Sequence, residues 1–294
     1  MPDQIPDGPG PTELGRFLRA RREGVRPQDA GLPPGTGSRR TPGLRREEIA
    51  TLAGVSIDYY TRIERGRETR PSPAVIDALA RTLRLDDEEH EYLKSLAAQA
   101  ARRAPVPPKP ASRAVRTTIG LLLESLRPNP AYLLSRTYDV LAANPGGAQL
   151  HHGLSGWPAR QRNTIRYTFL HPAARELYPD WEQKARGCVA QLRAVAGSDP
   201  DAPDLAALVG ELLVKSPDFG RLWGRYEVRR AGAGDRIFHH PLVGPMTLTH
   251  ETLDVNRAGG QRLVVYLAEP GTPEHDAMVL LDRAGTLSPT EATA

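Results

Sequence analysis

The sequence predicts a multidomain protein: an all-α bundle of five helices followed by an α+β domain with an antiparallel sheet. Apolar residues at positions 44–66 are spaced for two short helices that pack across a tight turn. Residues 104–110, APVPPKP, are too rich in proline for a regular element and indicate a stiff linker. Beyond them, strand-like, helix-like and again strand-like segments follow in an order typical of α+β domains. We therefore place the first domain at 12–103, the linker at 104–114 and the second domain at 115–282.

The composition is that of a folded protein with two cores. The chain has 294 residues, of which 39% are hydrophobic and 25% charged. No apolar run approaches the roughly 20 residues that a membrane helix needs, and the first residues lack the basic and apolar regions of a signal peptide. We therefore expect a cytoplasmic protein that does not bind a membrane. The single cysteine, Cys188, excludes an intramolecular disulfide.

The stretch LRREEIATLAGVSIDYYTRIERG, residues 44–66, is typical of a helix-turn-helix. Gly54 stands where the first helix ends and the chain needs a left-handed residue, a conformation that glycine adopts easily. Ala50 is small enough for the second helix to cross closely, and Ser56 offers an oxygen that caps this helix. The inward apolar positions are Ile49, Ala50, Ala53, Val55, Tyr60 and Ile63. Other pairs of amphipathic helices share part of this pattern, but agreement at so many positions favours the motif.

In such a motif, the outward side chains of the second helix reach base edges in the DNA major groove. Arg62 is able to bind guanine with two hydrogen bonds, and Asp58 either accepts from cytosine or holds Arg62 in place. Tyr59 and Thr61 reach either a phosphate or a thymine methyl group. We expect contacts to double-stranded DNA from Arg45, Arg46, Ser56, Ile57, Asp58, Tyr59, Thr61, Arg62, Arg67 and Arg70.

Positive charge is concentrated around this motif. The whole chain carries a net charge of +4, whereas residues 12–70 contain thirteen arginines and eight acidic residues, a balance of +5. Arginines that neutralise phosphates supply non-specific DNA affinity and make it depend steeply on salt. A single arginine is as easily a solvated surface charge, so only the clustering supports a DNA-binding surface.

Three further helices complete the first domain. One is predicted over 12–22, one from Ser72 to Leu83, and one from Asp87 to about Ala101. The arginines that the first of these helices turns to solvent are Arg16, Arg19 and Arg22. The connection over 24–43 is long, and its arginines at 39 and 40 either reach DNA, as basic arms do, or belong to a solvated loop.

The second domain is predicted from its periodicities. An apolar helix opens it, a hairpin of two strands follows, four helices cover the middle, and three strands close the sheet. The predicted segments are the helix Val115–Ser125, the hairpin Ala131–Asn144, the helices Trp157–Phe169, Pro179–Ala196, Leu205–Val214 and Pro217–Tyr226, and the strands Arg236–His240, Gly244–Leu253 and Gln261–Leu267.

Both halves resemble known families. The motif at 44–66, together with RPS at 70–72 and PAVIDALARTLRLDDEEHEYL after it, resembles the Xre/Cro repressors. The segments YPDWE (178–182), SPDF (216–219), LW (222–223), HPLVG (240–244) and VYLAEPG (265–271) resemble the MmyB-like regulators. This second resemblance implies a PAS-like fold that senses a small lipophilic ligand such as a fatty acid.

The ligand residues predicted on this basis are Phe169, Trp181, Arg166, Trp223 and His240. A pocket lined by Leu133, Val140, Phe169, Leu177, Trp181, Leu222 and Trp223 fits a lipophilic ligand, although the same residues also make an ordinary core. Five polar residues lie among apolar helix positions and form either a buried network or an anchor for a ligand carboxylate. They are Asn163, Arg166, Arg175, Asp180 and Arg193.

Metal and catalytic sites are not supported by the residue pattern. The pair His239 and His240 falls on a predicted strand, where neighbours point to opposite faces and cannot chelate one ion. The other pair, His151 and His152, has no carboxylate at a helpful spacing, and residues 153–156 lack the spacing of a nucleophile elbow. We expect no metal, no cofactor and no enzymatic activity.

Together these observations predict a transcriptional regulator that binds a pseudo-palindromic operator as a homodimer. One recognition helix reads too few bases for genomic selectivity, and two half-sites about one helical turn apart supply more. A ligand would act by changing the spacing of the two recognition helices. Two alternatives for the second domain remain open: a dimerisation or partner-binding module without a ligand, and an enzyme acting on a lipophilic metabolite.

Overall fold

The computed structural model separates into two units, each described here by itself. The residues that the structure describes are 12–32, 43–101, 112–199, 202–226 and 234–287. The described part of the first unit comprises 12–32, 43–101 and 223–226, and that of the second unit comprises 112–222 and 234–287 apart from 200–201. Most of the predicted linker at 104–114 lies outside the described residues. Arg39 and Arg40 of the connection over 24–43 also lie outside them.

The first unit is a bundle of helices, as predicted. Its helices within the described residues are α1 (Glu13–Gly24), α2 (Arg46–Ala53), α3 (Ile57–Glu64), α4 (Pro73–Thr82) and α5 (Asp87–Ala100). Side-chain oxygens of Thr12, Ser56, Ser72 and Asp86 cap α1, α3, α4 and α5 by accepting backbone N–H bonds. These caps explain why the sequence locates the helix starts well, because each satisfies a backbone donor that the helix leaves free.

The prediction that Arg22 faces solvent is wrong. Arg22 is only 3% exposed, and its guanidinium donates to the Leu44 carbonyl oxygen at 2.8 Å and to the Glu64 carboxylate. Arg16 and Arg19 remain on the outer side of α1 with their partners Glu13 and Glu23. A buried arginine is tolerated here because a carboxylate pairs with it in the interior.

The second unit combines helices with one sheet. Its described helices are α6 (Thr117–Ser125), α7 (Pro145–Leu150), α8 (Thr164–Leu170), α9 (Ala174–Leu177), α10 (Trp181–Ser198), α11 (Pro203–Lys215), α12 (Pro217–Trp223) and α13 (Pro273–Leu287). Its strands are β1 (Ala131–Leu134), β2 (Val140–Ala143), β3 (Gly234–His240), β4 (Gly244–Asp254) and β5 (Arg262–Leu267). All neighbours pair antiparallel in the order β2-β1-β5-β4-β3, so the last strands of the chain close the sheet onto the first hairpin.

The two faces of the sheet have different partners. On one face, Leu133 and Val265 pack with Ile119 and Leu123 of α6 in an apolar core. Leu133, which we considered for a ligand pocket, is therefore a core residue under α6. Alternation along the strands directs the neighbouring side chains to the other face, where Tyr132 and its cross-strand neighbours lie buried.

The helix predicted over Trp157–Phe169 is wrong in its first half. Residues 154–156 and 159–161 form short 3₁₀ turns, and the α-helix begins only at Thr164. Pro158 interrupts the backbone hydrogen bonding of a continuous helix, and the Asn163 side chain accepts from the N–H groups of Ile165 and Arg166 to start a new one.

Three helices were not predicted: α7, α9 and α13. Helix α7 has the sequence PGGAQL, which carries no apolar stripe, but its Gly147 lies so close to Ala131 that a Cβ would collide with that carbonyl oxygen. Helix α13 packs against α7, where a Cβ on Gly285 would collide with the Pro145 carbonyl oxygen. Close backbone packing of this kind, which periodicity does not report, fixes the positions of α7 and α13.

Candidate functional site

The corner between α2 and α3 has the predicted geometry. Gly54 adopts a left-handed conformation with φ of 69°, and the Val55 N–H donates to the Ala50 carbonyl oxygen at 2.9 Å. The Ser56 hydroxyl accepts from the Tyr59 N–H at 3.1 Å. Tyr60 and Ile63 are buried against the bundle. Fixing both helices in this way determines which side of α3 faces outward.

The outward side of α3 holds the side chains that we predicted to contact DNA. Ile57 is 51% exposed although it is apolar, and Asp58 and Arg62 are exposed beside it. Tyr59 and Thr61 are half-buried between them. Ile57 is therefore available for an apolar contact, such as one with a thymine methyl group.

The acid beside Arg62 is Glu68 and not Asp58. The Arg62 guanidinium lies 3.6 Å from the Glu68 carboxylate, and the described contacts include no ion pair between Arg62 and Asp58. The Arg62 carbonyl oxygen also accepts from the N–H groups of Arg67 and Glu68 at 2.8 and 3.1 Å. This turn positions the exposed Arg67 and, two residues after Glu68, the exposed Arg70.

Glu64 is a central residue that sequence analysis did not single out. It is 3% exposed and accepts from Arg22 at 3.0 Å and from Arg46 at 3.0 and 3.2 Å. Burial opposes its ionisation, but the hydrogen bonds from both arginines outweigh burial and lower the pKa of Glu64. The carboxylate thereby joins the end of α3 to α1 and to the start of α2.

A basic cleft of about 400 Å³ opens beside this ion-pair cluster. It is lined by Arg19, Arg22, Glu23, Arg45, Arg46, Glu47 and Ile57. Arg45 pairs weakly with Glu47 at 3.3 Å on the surface, so its guanidinium remains open to a further partner. Arg46 is held by Glu64, and its side chain is still 41% exposed. The cleft therefore presents positive charge next to the outward end of α3.

In the second unit, the sheet face opposite α6 supports a connected set of aromatic rings. The Tyr132 and Tyr266 hydroxyl oxygens lie 3.0 Å apart, and Phe238 packs between Tyr266 and Tyr178 with ring centres 5.5 and 5.6 Å away. His151 lies 5.4 Å from Tyr132 between their ring centres. Burial raises the pKa of the Tyr132, Tyr178 and Tyr266 hydroxyls, which keeps them neutral.

Several polar atoms in this interior have no partner. The Nε2 atom of His151, the hydroxyl of Tyr178 and the Nε atom of Arg236 are buried and make no hydrogen bond. Burial lowers the pKa of His151 to about 3, and burial also lowers the pKa of Lys184. Buried polar groups normally have hydrogen-bond partners, so this cluster requires an explanation.

The predicted ligand residues are only partly brought together. Phe169 and Trp181 pack with ring centres 5.8 Å apart, while Arg166 pairs with Glu211 at 2.9 Å. His240 is buried and its Nε2 lies 3.0 Å from the Gln149 carbonyl oxygen. Trp223 ends α12 and is grouped with the first unit, whereas the other four belong to the second. Within the second unit, Phe169 and Trp181 thus contact each other, whereas Arg166 and His240 have separate partners.

The polar network that we considered is also divided among separate partners. Arg175 pairs with Asp218 at 2.6 Å and lies 3.8 Å above the Trp181 ring. Asp180 caps α10 by accepting from the Gln183 N–H. Arg166, Arg175 and Asp180 thus have different partners in the described structure.

A small cavity of about 180 Å³ adjoins the aromatic interior. It lies between β2 and α7, with Tyr132 and His151 in its wall beside Val140. Within the described residues, no group of three or more His, Cys, Asp or Glu side chains is arranged to hold a metal ion. None of the helices in the described part of the chain is long and apolar enough to span a membrane.

A helix exposed on a basic bundle and a separate α+β unit with an enclosed aromatic interior define a class: a transcription regulator with a DNA-binding domain and a small-molecule-binding domain. Residues 13–93 match a family model described as a helix-turn-helix domain. Residues 115–281 match the MmyB-like transcription regulator ligand binding domain. The chain belongs to this MmyB-like family, since the second match covers more than half of it. A search of curated proteins gave no match.

Proposed function

We propose that the protein reads a specific DNA sequence by placing α3 in the major groove. The observation that carries this proposal is the outward side of α3, where Ile57, Asp58 and Arg62 are exposed while Tyr60 and Ile63 fix the helix from behind. Arginine and aspartate are able to discriminate bases by hydrogen bonding, and an apolar side chain contacts thymine methyl groups. Arg45 and Arg46 at the neighbouring cleft would bind phosphate.

We further propose that two copies bind one pseudo-palindromic operator. Helix α3 has only eight residues, and a single helix of this length contacts a few base pairs. Two half-sites related by a two-fold axis double the number of base pairs that are read, and so increase the specificity beyond that of one half-site. A footprint with two protected half-sites about one helical turn apart would support the homodimer; a single half-site would contradict it.

The test of base reading is the variant Arg62→Ala. If Arg62 binds a base, its loss should weaken operator binding by about 1 to 3 kcal/mol and relax the sequence preference at one position of each half-site. The operator is first recovered by selection from random DNA, and affinity is measured by fluorescence anisotropy. Lys94→Ala is the matched control, because Lys94 is an exposed cation on α5 paired only with Glu91. Unchanged operator affinity of the Arg62→Ala protein would contradict the assignment.

For the second domain we propose a small lipophilic ligand of fatty-acid type. The aromatic interior and the adjoining cavity support it. The cavity of about 180 Å³ is smaller than the roughly 300 to 1,000 Å³ of most ligand pockets, so a ligand would enter by displacing side chains. The ligand would then increase the population of the conformation that it binds better, and so change how the two recognition helices are arranged.

The small cavity also favours a second candidate, a dimerisation module without a ligand. Native mass spectrometry of the purified full chain, before and after denaturing extraction, separates the two candidates. A dimer that releases a lipophilic molecule on denaturation supports ligand sensing. A dimer that releases none, and that fails to bind added lipophilic probes, supports the dimerisation module.

A further inference from the structure

Two cationic side chains enter the interior of the second unit without an acidic partner. Lys184 projects from α10 so that its Nζ atom lies 5.2 Å from the centre of the Tyr178 ring. Arg236 projects from β3, on the same side as the buried Phe238, and its Nε atom is buried without a hydrogen bond. Among the described residues, neither Lys184 nor Arg236 forms an ion pair with a carboxylate.

The two cations lie beside the same pair of packed rings: Lys184 approaches Tyr178, whose ring centre is 5.6 Å from that of Phe238, and Phe238 is two residues from Arg236 on the same side of β3. The charge of Arg236 opposes the burial-induced rise in the pKa of Tyr132, Tyr178 and Tyr266. It also reinforces the effect of burial, which lowers the pKa of Lys184. Both side chains are half-buried. Two like charges that are partly withdrawn from water in one region without a counter-ion are costly, because neither desolvation nor repulsion is compensated.

Neutral hydrogen-bonding groups face the same region. The Tyr178 hydroxyl and the His151 Nε2 atom are unpartnered, and the two rings lie 6.4 Å apart between centres. Each of these groups is able to donate one hydrogen bond. The region thus contains four donors and two positive charges, and what it lacks is a negatively charged acceptor. We refer to Lys184, Arg236, Tyr178 and His151 as the basic cluster.

We propose that the basic cluster binds the carboxylate of an anionic ligand whose apolar body lies against the surrounding aromatic rings. The proposal rests on the ligand-sensing function proposed above and specifies the head group that this function recognises. Charge-assisted hydrogen bonds from Lys184 and Arg236 would orient the carboxylate. The cavity beside Tyr132 and His151 provides adjoining space for part of the apolar body. The anchoring residues are therefore different from Arg166, whose guanidinium pairs with Glu211.

The test compares decanoate with decan-1-ol, which has the same chain without the charge. Binding to the full-length protein is measured by isothermal titration calorimetry at fixed ionic strength. We expect the wild-type protein to bind decanoate at least tenfold more tightly than decan-1-ol. In Lys184→Gln and Arg236→Gln this preference should fall towards unity while the affinity for decan-1-ol is retained. Arg186→Gln, on the exposed side of the same helix, is the matched control and should keep the preference.

Two further readouts separate binding from folding. Removing an unpaired buried charge should leave the ligand-free melting temperature of Lys184→Gln unchanged or raised, because no native ion pair is broken. A carboxylate beside Lys184 should favour its charged form, so decanoate binding measured across the alkaline range in which Lys184 titrates should take up protons in the wild type and in Arg186→Gln but much less in Lys184→Gln. Proton uptake is obtained by repeating the titration in buffers of different ionisation enthalpy.

Each outcome distinguishes the two proposals. Equal affinity of the wild type for decanoate and decan-1-ol would overturn the carboxylate site and leave lipophilic sensing intact. Binding of neither probe would overturn both the carboxylate site and the lipophilic-ligand proposal. A preference for decanoate that persists in Lys184→Gln and Arg236→Gln would show that another group binds the carboxylate, and would also overturn the basic cluster as its site.

Discussion

At the scale of single residues, the two units differ in how the charges in their interiors are compensated. In the first unit, Glu64 is enclosed between Arg22 and Arg46, so its charge is compensated twice. In the second unit, Lys184 and Arg236 share an interior without an acid among the described residues. In the first arrangement each charge has a partner, and removing one partner would leave an uncompensated buried charge. The second is stable only to the extent that the surrounding packing compensates for it, which is why we assign it to ligand binding.

The first prediction at this scale concerns Glu64→Gln. The substitution keeps the shape of the side chain but leaves the buried Arg22 without a counter-ion, and breaking a buried pair in this way costs about 3 to 5 kcal/mol. We expect a loss of this size in the free energy of unfolding, measured with urea. Glu91→Gln is the control, because Glu91 is exposed and pairs with Lys94 on the surface. Equal effects of the two substitutions would contradict the role given to Glu64.

The second prediction concerns acid stability. The pKa of His151 is 6.5 when unperturbed and about 3 in the folded chain. Between these values the unfolded chain binds a proton that the folded chain does not, so this stabilisation is complete above pH 6.5 and decreases as the pH falls. At pH 5 the decrease is about 2 kcal/mol from this residue alone. Burial also lowers the pKa of His171, His240 and His250, which adds to the trend.

The measurement is urea unfolding at pH 7 and pH 5 for the wild type and His151→Phe. Phenylalanine keeps the ring but does not titrate, so the variant should lose less stability between the two pH values. The remaining slope belongs to the other buried histidines and to the carboxylates. Parallel pH profiles of the two proteins would exclude His151 as the source.

At the scale of elements, two glycines in the first unit serve different purposes. Gly54 supplies the left-handed residue between α2 and α3, and a Cβ at this position would meet no atom within 4 Å. Gly15 lies on α1 where it crosses α3, and a Cβ there would collide with the Glu64 carbonyl oxygen. One position thus needs backbone freedom and the other needs space.

The corresponding prediction compares alanine substitutions at these positions. Gly54→Ala should cost about 1 to 2 kcal/mol, the strain of a left-handed alanine. Gly15→Ala should cost more, because the colliding atoms belong to two helix backbones that must separate. Gly120→Ala, inside α6 with open space around it, should be neutral or slightly stabilising. Thermal unfolding followed by circular dichroism gives the order, and a cost at Gly15 below that at Gly54 would contradict the close crossing.

At the scale of the whole molecule, the net charge of the chain differs from the charge balance of the region around the helix-turn-helix. The chain carries +4 overall, whereas the charge balance around the helix-turn-helix is +5. Phosphate contacts made by this region release counter-ions, so DNA affinity depends on its own charge and not on that of the second unit.

This argument predicts a salt dependence. The logarithm of the DNA-binding constant should fall linearly with the logarithm of the salt concentration, and Arg45→Ala should reduce the slope by about 1 if Arg45 binds a phosphate. Titrations at several potassium chloride concentrations measure the slope, with Lys94→Ala as the surface-charge control. A slope unaffected by Arg45→Ala would remove this residue from the DNA contact set.

Prediction from sequence succeeded where the determinants are local. Thr12, Ser56 and Asp86 identify helix starts because a cap acts on the next three residues. The strands of the sheet were located by their alternation. The same reasoning failed between Trp157 and Asn163, where loop geometry replaced a helix.

The sequence by itself determined the two-domain organisation, the helix-turn-helix register and the outward side of α3, because spacing, caps and Gly54 act over a few residues. Only the tertiary structure decided the partners of Glu64 and brought Lys184 of α10 to the aromatic rings that pack on β3, the strand of Arg236. Such pairs depend on how helices cross and strands align. A sequence pattern records which face a side chain occupies, whereas the side chain opposite it is determined by packing across the whole domain.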